Sequence, residues 1–149
     1  MIRDAEERDI PQILNMMEMF YHESGYSVIG PIDDQSLTRL LQALILEDRG
    51  ILFVLSEHGA IIGFIGGALV PFFANNQIVV CQEMFWFVRP ESRGNGSHLL
   101  ARFEERARQL GADIISTASV EKINPSTMHR LYTMKGFSMM EHGFVKRLR

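Results

Sequence analysis

The sequence predicts one α/β (α+β) domain over residues 1–149, with a mixed, mostly antiparallel central sheet of six to seven strands and about four flanking helices. Three observations carry that prediction. Helical and strand patterns alternate along the whole chain, with no linker, repeat or low-complexity tract between them. The middle of the chain reads as three consecutive strands separated by turn signals, an antiparallel meander. After Pro90 the apolar period changes from about 2 to about 3.6 residues. The next strand is therefore reached through a crossover helix and should lie parallel to the strand before that helix.

The elements follow in order. Residues 2–5 form a short strand. Asp9 caps a first helix with Gln12 in the capping-box position, and Ile10, Ile13, Leu14, Met17 and Phe20 recur at helical spacing until Gly25. Tyr21-His22-Glu23-Ser24-Gly25-Tyr26 is a polar and aromatic junction. Asp33 or Asp34 starts a second helix, in which Leu37, Leu40, Leu41, Leu44 and Ile45 match one apolar face before the pattern fades at Asp48-Arg49-Gly50. Residues 51–56 are almost wholly apolar, as a strand covered on both faces would be. Glu57-His58-Gly59 is a tight turn, residues 60–70 a glycine-rich strand, Asn75-Asn76 a second turn and residues 77–88 a third strand.

Leu100, Phe103, Ala107 and Leu110 line one face of the third helix, Gly111 closes it, and Glu104 and Arg108 pair on its wet side. Residues 113–119 form the parallel strand. Asn124-Pro125 opens a fourth helix with a cap and a first-turn proline, Gly136 closes it, and residues 137–148 supply the final strand material.

Composition narrows the chemistry. Hydrophobic residues at 46% and charged residues at 22% exclude wholesale disorder, and a net charge of −3 supplies no basic excess to argue for nucleic acid. The single cysteine, Cys81, excludes an internal disulfide and a cysteine-rich zinc site. The histidines His22, His58, His98, His129 and His142 lack metal-ligand spacing, so no metal is expected. The charged N-terminus is unlike a secretory signal. The most apolar stretch, residues 60–74, is broken by Gly63, Gly66, Gly67 and Pro71 and is too short to cross a bilayer. A cytoplasmic protein without a membrane partner is expected.

The most informative stretch is Val88-Arg89-Pro90-Glu91-Ser92-Arg93-Gly94-Asn95-Gly96-Ser97-His98-Leu99-Leu100. An apolar strand ends, a glycine-bearing turn follows and an amphipathic helix begins. The first amides of a helix have no internal partner, and the helix dipole places partial positive charge there. Glycines admit an oxyanion to those amides and Arg93 adds formal charge, so a phosphate or pyrophosphate is the fitting ligand. A P-loop would need Gly-Lys-Ser/Thr, and a dinucleotide fingerprint a third glycine near Leu99; both are absent.

Glu91-Ser92-Arg93-Gly94-Asn95-Gly96 resembles motif A of the GNAT superfamily of acyl-CoA-dependent N-acyltransferases, Gln/Arg-x-x-Gly-x-Gly/Ala, departing from it at Glu91. Leu131-Tyr132-Thr133-Met134-Lys135-Gly136-Phe137 resembles the Leu-Tyr-x-x-x-Gly-Phe end of motif B, and the order of elements fits nearly the whole chain. The ending, residues 141–148, is similar to that of compact phage and prophage members.

The resemblance implies a splayed parallel strand pair whose gap takes the pantetheine arm of acetyl-CoA against Phe87 and Val88. It places the pyrophosphate on Arg93, Gly94, Asn95, Gly96 and Ser97, with His98 beside it. It implies an acetyl transfer to a primary amine by direct attack, with Tyr132 as the acid that protonates the leaving thiolate. Glu83, the only carboxylate in residues 77–88, is the candidate base; alternation alone leaves it either buried or on a half-wet face, and Gln82 takes its place if a bulge shifts the register. Tyr21, His22, Glu23 and Tyr26 are the candidate acceptor-binding residues, and a homodimer is implied by many relatives. Two alternatives remain at this stage. One is the same fold acting on a macromolecule, meaning a protein N-terminus, a lysine or an amino-modified DNA base. The other is a non-catalytic CoA-binding regulatory module.

Overall fold

The computed structural model describes residues 1–149 and sets five strands side by side in chain order: β1 (Ile2–Asp4), β2 (Gly50–Glu57), β3 (Ala60–Phe72), β4 (Asn75–Val88) and β5 (Ile114–Ser116). All neighbours are antiparallel except β4 and β5, which run parallel as the crossover helix requires. Two helices, α1 (Ile10–Ser24) and α2 (Asp34–Leu46), cover one face. The crossover helix α3 (Gly96–Gln109) covers the other, and α4 (Pro125–Met134) follows β5.

The unbroken apolar run of β2 follows from this layering. Leu52 and Val54 join Ile13, Met16, Phe20 and Leu41 beneath α1 and α2. Ile51, Phe53 and Leu55 join Leu99, Leu100 and Phe103 beneath α3. Both faces are covered, so neither half of the alternation is polar. Removing a side chain as completely buried as Phe53 or Phe103 costs about 3–5 kcal/mol in such a core.

Four expectations need correction. The sheet has five strands, not six to seven, because residues 137–149 adopt no regular structure. The neighbouring edge, β5, is only three residues long, and Met140, Phe144 and Leu148 lie exposed instead of on a covered face. The second hairpin turns at Phe73-Ala74, not Asn75-Asn76: Phe72 pairs with Asn75, whose Oδ1 accepts the Gln77 amide at 3.1 Å.

Asp9 does not cap α1 with Gln12. Its carboxylate accepts the Glu6 amide at 2.8 Å and two Arg3 hydrogen bonds at 2.7 and 2.9 Å, while Gln12 Oε1 accepts the Ile61 amide at 3.0 Å. A formal charge nearby outcompetes a local amide, and Arg3 holds the Asp9 carboxyl below its usual range. Asn124 stands at the start of α4, but in a left-handed conformation (φ 40°) with no capping bond from its side chain.

Candidate active site

The site lies where β4 loses its partner. β5 pairs with β4 only from Val80 to Gln82, against Ile114 to Ser116, and β4 then runs six residues further, from Glu83 to Val88, beside β3 alone. That is the opening expected of a splayed pair.

A bulge decides which side chains face it. Gly66 of β3 pairs with Phe85 while Gly67 pairs with Glu83, so Met84 is the extra residue. Below the bulge the odd-numbered Cys81 faces the α3 side; above it the odd-numbered Phe85 and Phe87 face α1 and α2. Glu83 is thereby kept on the Cys81 side. Without the bulge it would share a face with Phe85. Two glycines opposite make the close approach feasible: a Cβ on Gly67 would fall 2.2 Å from the Gln82 carbonyl oxygen.

Glu83 is 8% exposed, which settles the alternative left open by alternation in favour of a buried carboxyl. Gln82 does not replace it; the Gln82 side chain donates to the Glu83 backbone carbonyl at 3.0 Å. The Glu83 Oε2 atom accepts from Thr117 Oγ1 at 2.7 Å and from the Ala118 amide at 3.5 Å. Burial pushes the carboxyl up to about 7, and those two hydrogen bonds oppose the rise. Its charge and, more strongly, burial push the Cys81 thiol up to about 12, so Cys81 is an inert, buried side chain.

Tyr132 reaches the same hydroxyl. Tyr132 Oη lies 2.8 Å from Thr117 Oγ1 and donates to the Ala118 carbonyl at 3.1 Å. Its ring is held between Trp86 and Phe137, with centroids at 6.2 and 5.3 Å. The helix ending explains the second contact. Gly136 takes φ +87°, its amide bonds the Thr133 carbonyl and the Phe137 amide bonds the Tyr132 carbonyl, which folds Phe137 back over the tyrosine ring. Burial, aided by Glu83, raises the phenol above its ordinary range despite the Thr117 hydrogen bond. Thr117 was not singled out by sequence reasoning. The signal that finds it is the parallel register: Gln82 sits opposite Ser116, so Thr117 follows opposite Glu83.

At the other end of the opening, Gly94 takes φ +114° and α3 begins at Gly96 without any side-chain cap. The amides of Gly94, Asn95, Gly96 and Ser97 donate to nothing within the protein. Four unpaired amides at the positive end of a 14-residue helix are an anion site in waiting. His98 is exposed on the first turn.

The Arg93 guanidinium bonds Glu23 and the Val88 carbonyl and lies 5.9 Å over the Phe87 ring. A carboxylate and a ring face within reach hold it there. The four acceptor candidates separate accordingly. Glu23 is engaged with Arg93. Tyr26 stacks on Tyr21 at 5.9 Å and contacts Phe20 at 5.6 Å. Tyr21 and His22 line an open groove with Glu18, Ser27, Gly30, Pro31 and Ile32 that neither Glu83 nor Tyr132 enters. No cluster of three or more His, Cys, Asp or Glu side chains is gathered to hold a metal, and no helix is long and apolar enough to cross a membrane.

Residues 12–137 match the family model described as the acetyltransferase (GNAT) family. The chain belongs to this family. Solved structures agree on the GNAT fold. A predicted acetyltransferase from Clostridium acetobutylicum, crystallised with acetyl-CoA, superposes with a TM-score of 0.77 at 22% identity over 99% of this chain and 96% of that one. A ribosomal-protein-alanine N-acetyltransferase from Brucella melitensis gives 0.69 at 14% identity, covering 99% of both chains. An aminoglycoside acetyltransferase from an uncultured soil sample, in complex with sisomicin, gives 0.74 at 14% identity over 100% of this chain and 96% of that one. No curated protein matches. At these identities the likeness concerns the fold; the two names that state an acceptor differ in it, so the fold alone does not name one.

Proposed function

We propose that this GNAT protein transfers the acetyl group of acetyl-CoA to a primary amine by direct attack on the thioester. The observation that carries the reading is the pairing of a buried carboxyl and a buried phenol at the mouth of the strand opening, with open helix amides at its far end. The diphosphate rests on the amides of Gly94 to Ser97 and the pantetheine arm pairs with the free edge of β4 at Phe87 and Val88, as an added strand does. Arg93 exchanges Glu23 for the diphosphate. The released Glu23 carboxylate then faces the acceptor and favours a cationic amine.

Glu83, with a pKa near neutrality, takes a proton from the attacking nitrogen, and Tyr132 gives one to the departing sulfur. A side chain costly to bury, linked through one hydroxyl to a second titratable group, is better explained by proton transfer than by packing. This favours an enzyme over a binding module. Acetyl-CoA should raise Tm, and adding a panel of small amines, peptides and aminated DNA should release free CoA from at least one acceptor. Tyr132→Phe should lower kcat by about a hundredfold while leaving the acetyl-CoA shift in place. Binding without turnover across the whole panel would overturn the proposal.

A further inference from the structure

Glu83 and Tyr132 never touch; one hydroxyl joins them. Thr117 Oγ1 stands 2.7 Å from Glu83 Oε2 and 2.8 Å from Tyr132 Oη, and all three groups are withdrawn from solvent to a half-buried or buried degree. A hydroxyl carries one proton and two lone pairs, so Thr117 donates to only one of its neighbours at a time. With Glu83 ionised, Thr117 donates to Glu83 and Tyr132 donates to Thr117 or to the Ala118 carbonyl. With Glu83 protonated, the carboxyl donates to Thr117, Thr117 donates to Tyr132, and Tyr132 keeps the Ala118 carbonyl. Both arrangements satisfy every group, and they differ only in the direction of the chain.

We propose that Thr117 is the positioning residue that hands a proton from Glu83 to Tyr132, so that the base and the acid of the acetyl transfer work as one relay. This rests on the reading of Glu83 and Tyr132 given above. The amine first loses one ammonium proton to solvent. Its nitrogen forms the N–C bond, and the second proton passes from that nitrogen to the Glu83 carboxylate. The carboxyl turns its O–H toward Thr117 and donates to Oγ1, and the Thr117 proton moves to the Tyr132 oxygen in the same motion in which that oxygen gives up its own proton. As the C–S bond breaks, the Tyr132 proton goes to sulfur. Glu83 ends as the carboxylate it began as. The sum is ammonium plus thioester to amide plus thiol plus one proton, with no further reactant.

Geometry favours this over two independent transfers to solvent. Tyr132 is 8% exposed, and its ring is clamped on two sides, so re-protonation of a spent phenolate from bulk water is obstructed. Thr117 offers a supply within one hydrogen bond. The register that places Thr117 opposite Glu83 and the bulge that turns Glu83 toward it serve the same contact.

The test uses Thr117→Val, which keeps the shape and removes the hydroxyl, and Thr117→Ser, which keeps the hydroxyl. With the acceptor found in the panel, Thr117→Val should lower kcat by about tenfold or more, leave KM for acetyl-CoA unchanged and reduce the solvent deuterium isotope effect, while Thr117→Ser restores kcat to within about threefold. A second readout needs no acceptor. In the wild type the Tyr132 13Cζ resonance should move with the titration of Glu83 near pH 7, and in Thr117→Val that movement should shrink to the part that the Glu83 charge exerts through space. Unchanged kcat and isotope effect, or a Tyr132 resonance that follows Glu83 as far in Thr117→Val as in the wild type, would overturn the relay. If Glu83→Gln and Tyr132→Phe leave turnover intact, the assignment of base and acid fails; if both slow it while Thr117→Val does not, only the relay fails.

Discussion

Two helices of this protein begin in opposite ways. α2 starts behind Asp33, whose carboxylate takes the Ser36 amide at 2.9 Å, and the Asp33 carboxyl is held below its usual range by Ser36. α3 starts behind Asn95, whose side chain caps nothing, and four consecutive amides are left open. The physics at the two ends is identical: unpaired donors and the positive end of a dipole call for a negative group. α2 finds that group within its own sequence. α3 has no such side chain, and its open amides lie beside the gap between β4 and β5. Asn95 is itself a favoured capping residue type, so an end left open behind it is informative, because capping stabilises by about 1 kcal/mol. On the proposed function, the stability forgone at α3 is what the diphosphate of acetyl-CoA would recover.

The largest expected effect extends the contrast to a third polar group, Glu83, whose needs are met only in part. Its folded pKa of about 7 lies above the ordinary 4.5, so between those values the folded chain keeps a proton that the unfolded chain has lost. Stability should therefore fall as pH rises from about 4.5 to about 7 and flatten beyond, by about 3 kcal/mol in all. Glu83→Gln should remove that slope, which denaturant titrations across the range would read.

Gly94→Val comes next. A branched side chain at φ +114° carries about 2 kcal/mol of strain, and the open turn should distort. Acetyl-CoA affinity should drop roughly thirtyfold by calorimetry. Asn95→Asp makes α3 resemble α2, because a carboxylate then occupies the place of the diphosphate. Tm should rise slightly and acetyl-CoA should bind about tenfold more weakly. Asp33→Ala is the smallest and the reciprocal change: a small fall in Tm, with acetyl-CoA affinity unmoved. An affinity loss in Asp33→Ala equal to that in Asn95→Asp would erase the distinction between the two helix ends.

Much of this layout was legible in the sequence because it depends on local rules. The apolar face of α2, the doubly covered run of β2, the cap at Asp33 and the uncapped Gly94-Asn95-Gly96 turn are each properties of a few neighbouring residues. Tyr132 comes instead from the resemblance of residues 131–137 to motif B; that Phe137 folds back over its ring is seen only in the structure. What escaped depends on partners distant in the chain. Alternation left the face of Glu83 open because the bulge at Met84 is set by Gly66 and Gly67 on another strand. Thr117 escaped because its importance lies in a parallel register of three residues. Residues 137–148 are expected as the final strand material, but a strand also needs an edge to pair with, and β5 offers only a short one. The Asp9 cap failed for a similar reason: Arg3, on β1, reached the carboxylate first.

The central claim is that the open amides of Gly94 to Ser97 hold the diphosphate of acetyl-CoA. Isothermal titration of acetyl-CoA into the wild type and into Asn95→Asp, at one pH and ionic strength, tests it most directly. The account predicts saturable binding to the wild type and about tenfold weaker binding to the variant. No saturable heat with the wild type, or equal affinity in the two proteins, would contradict it.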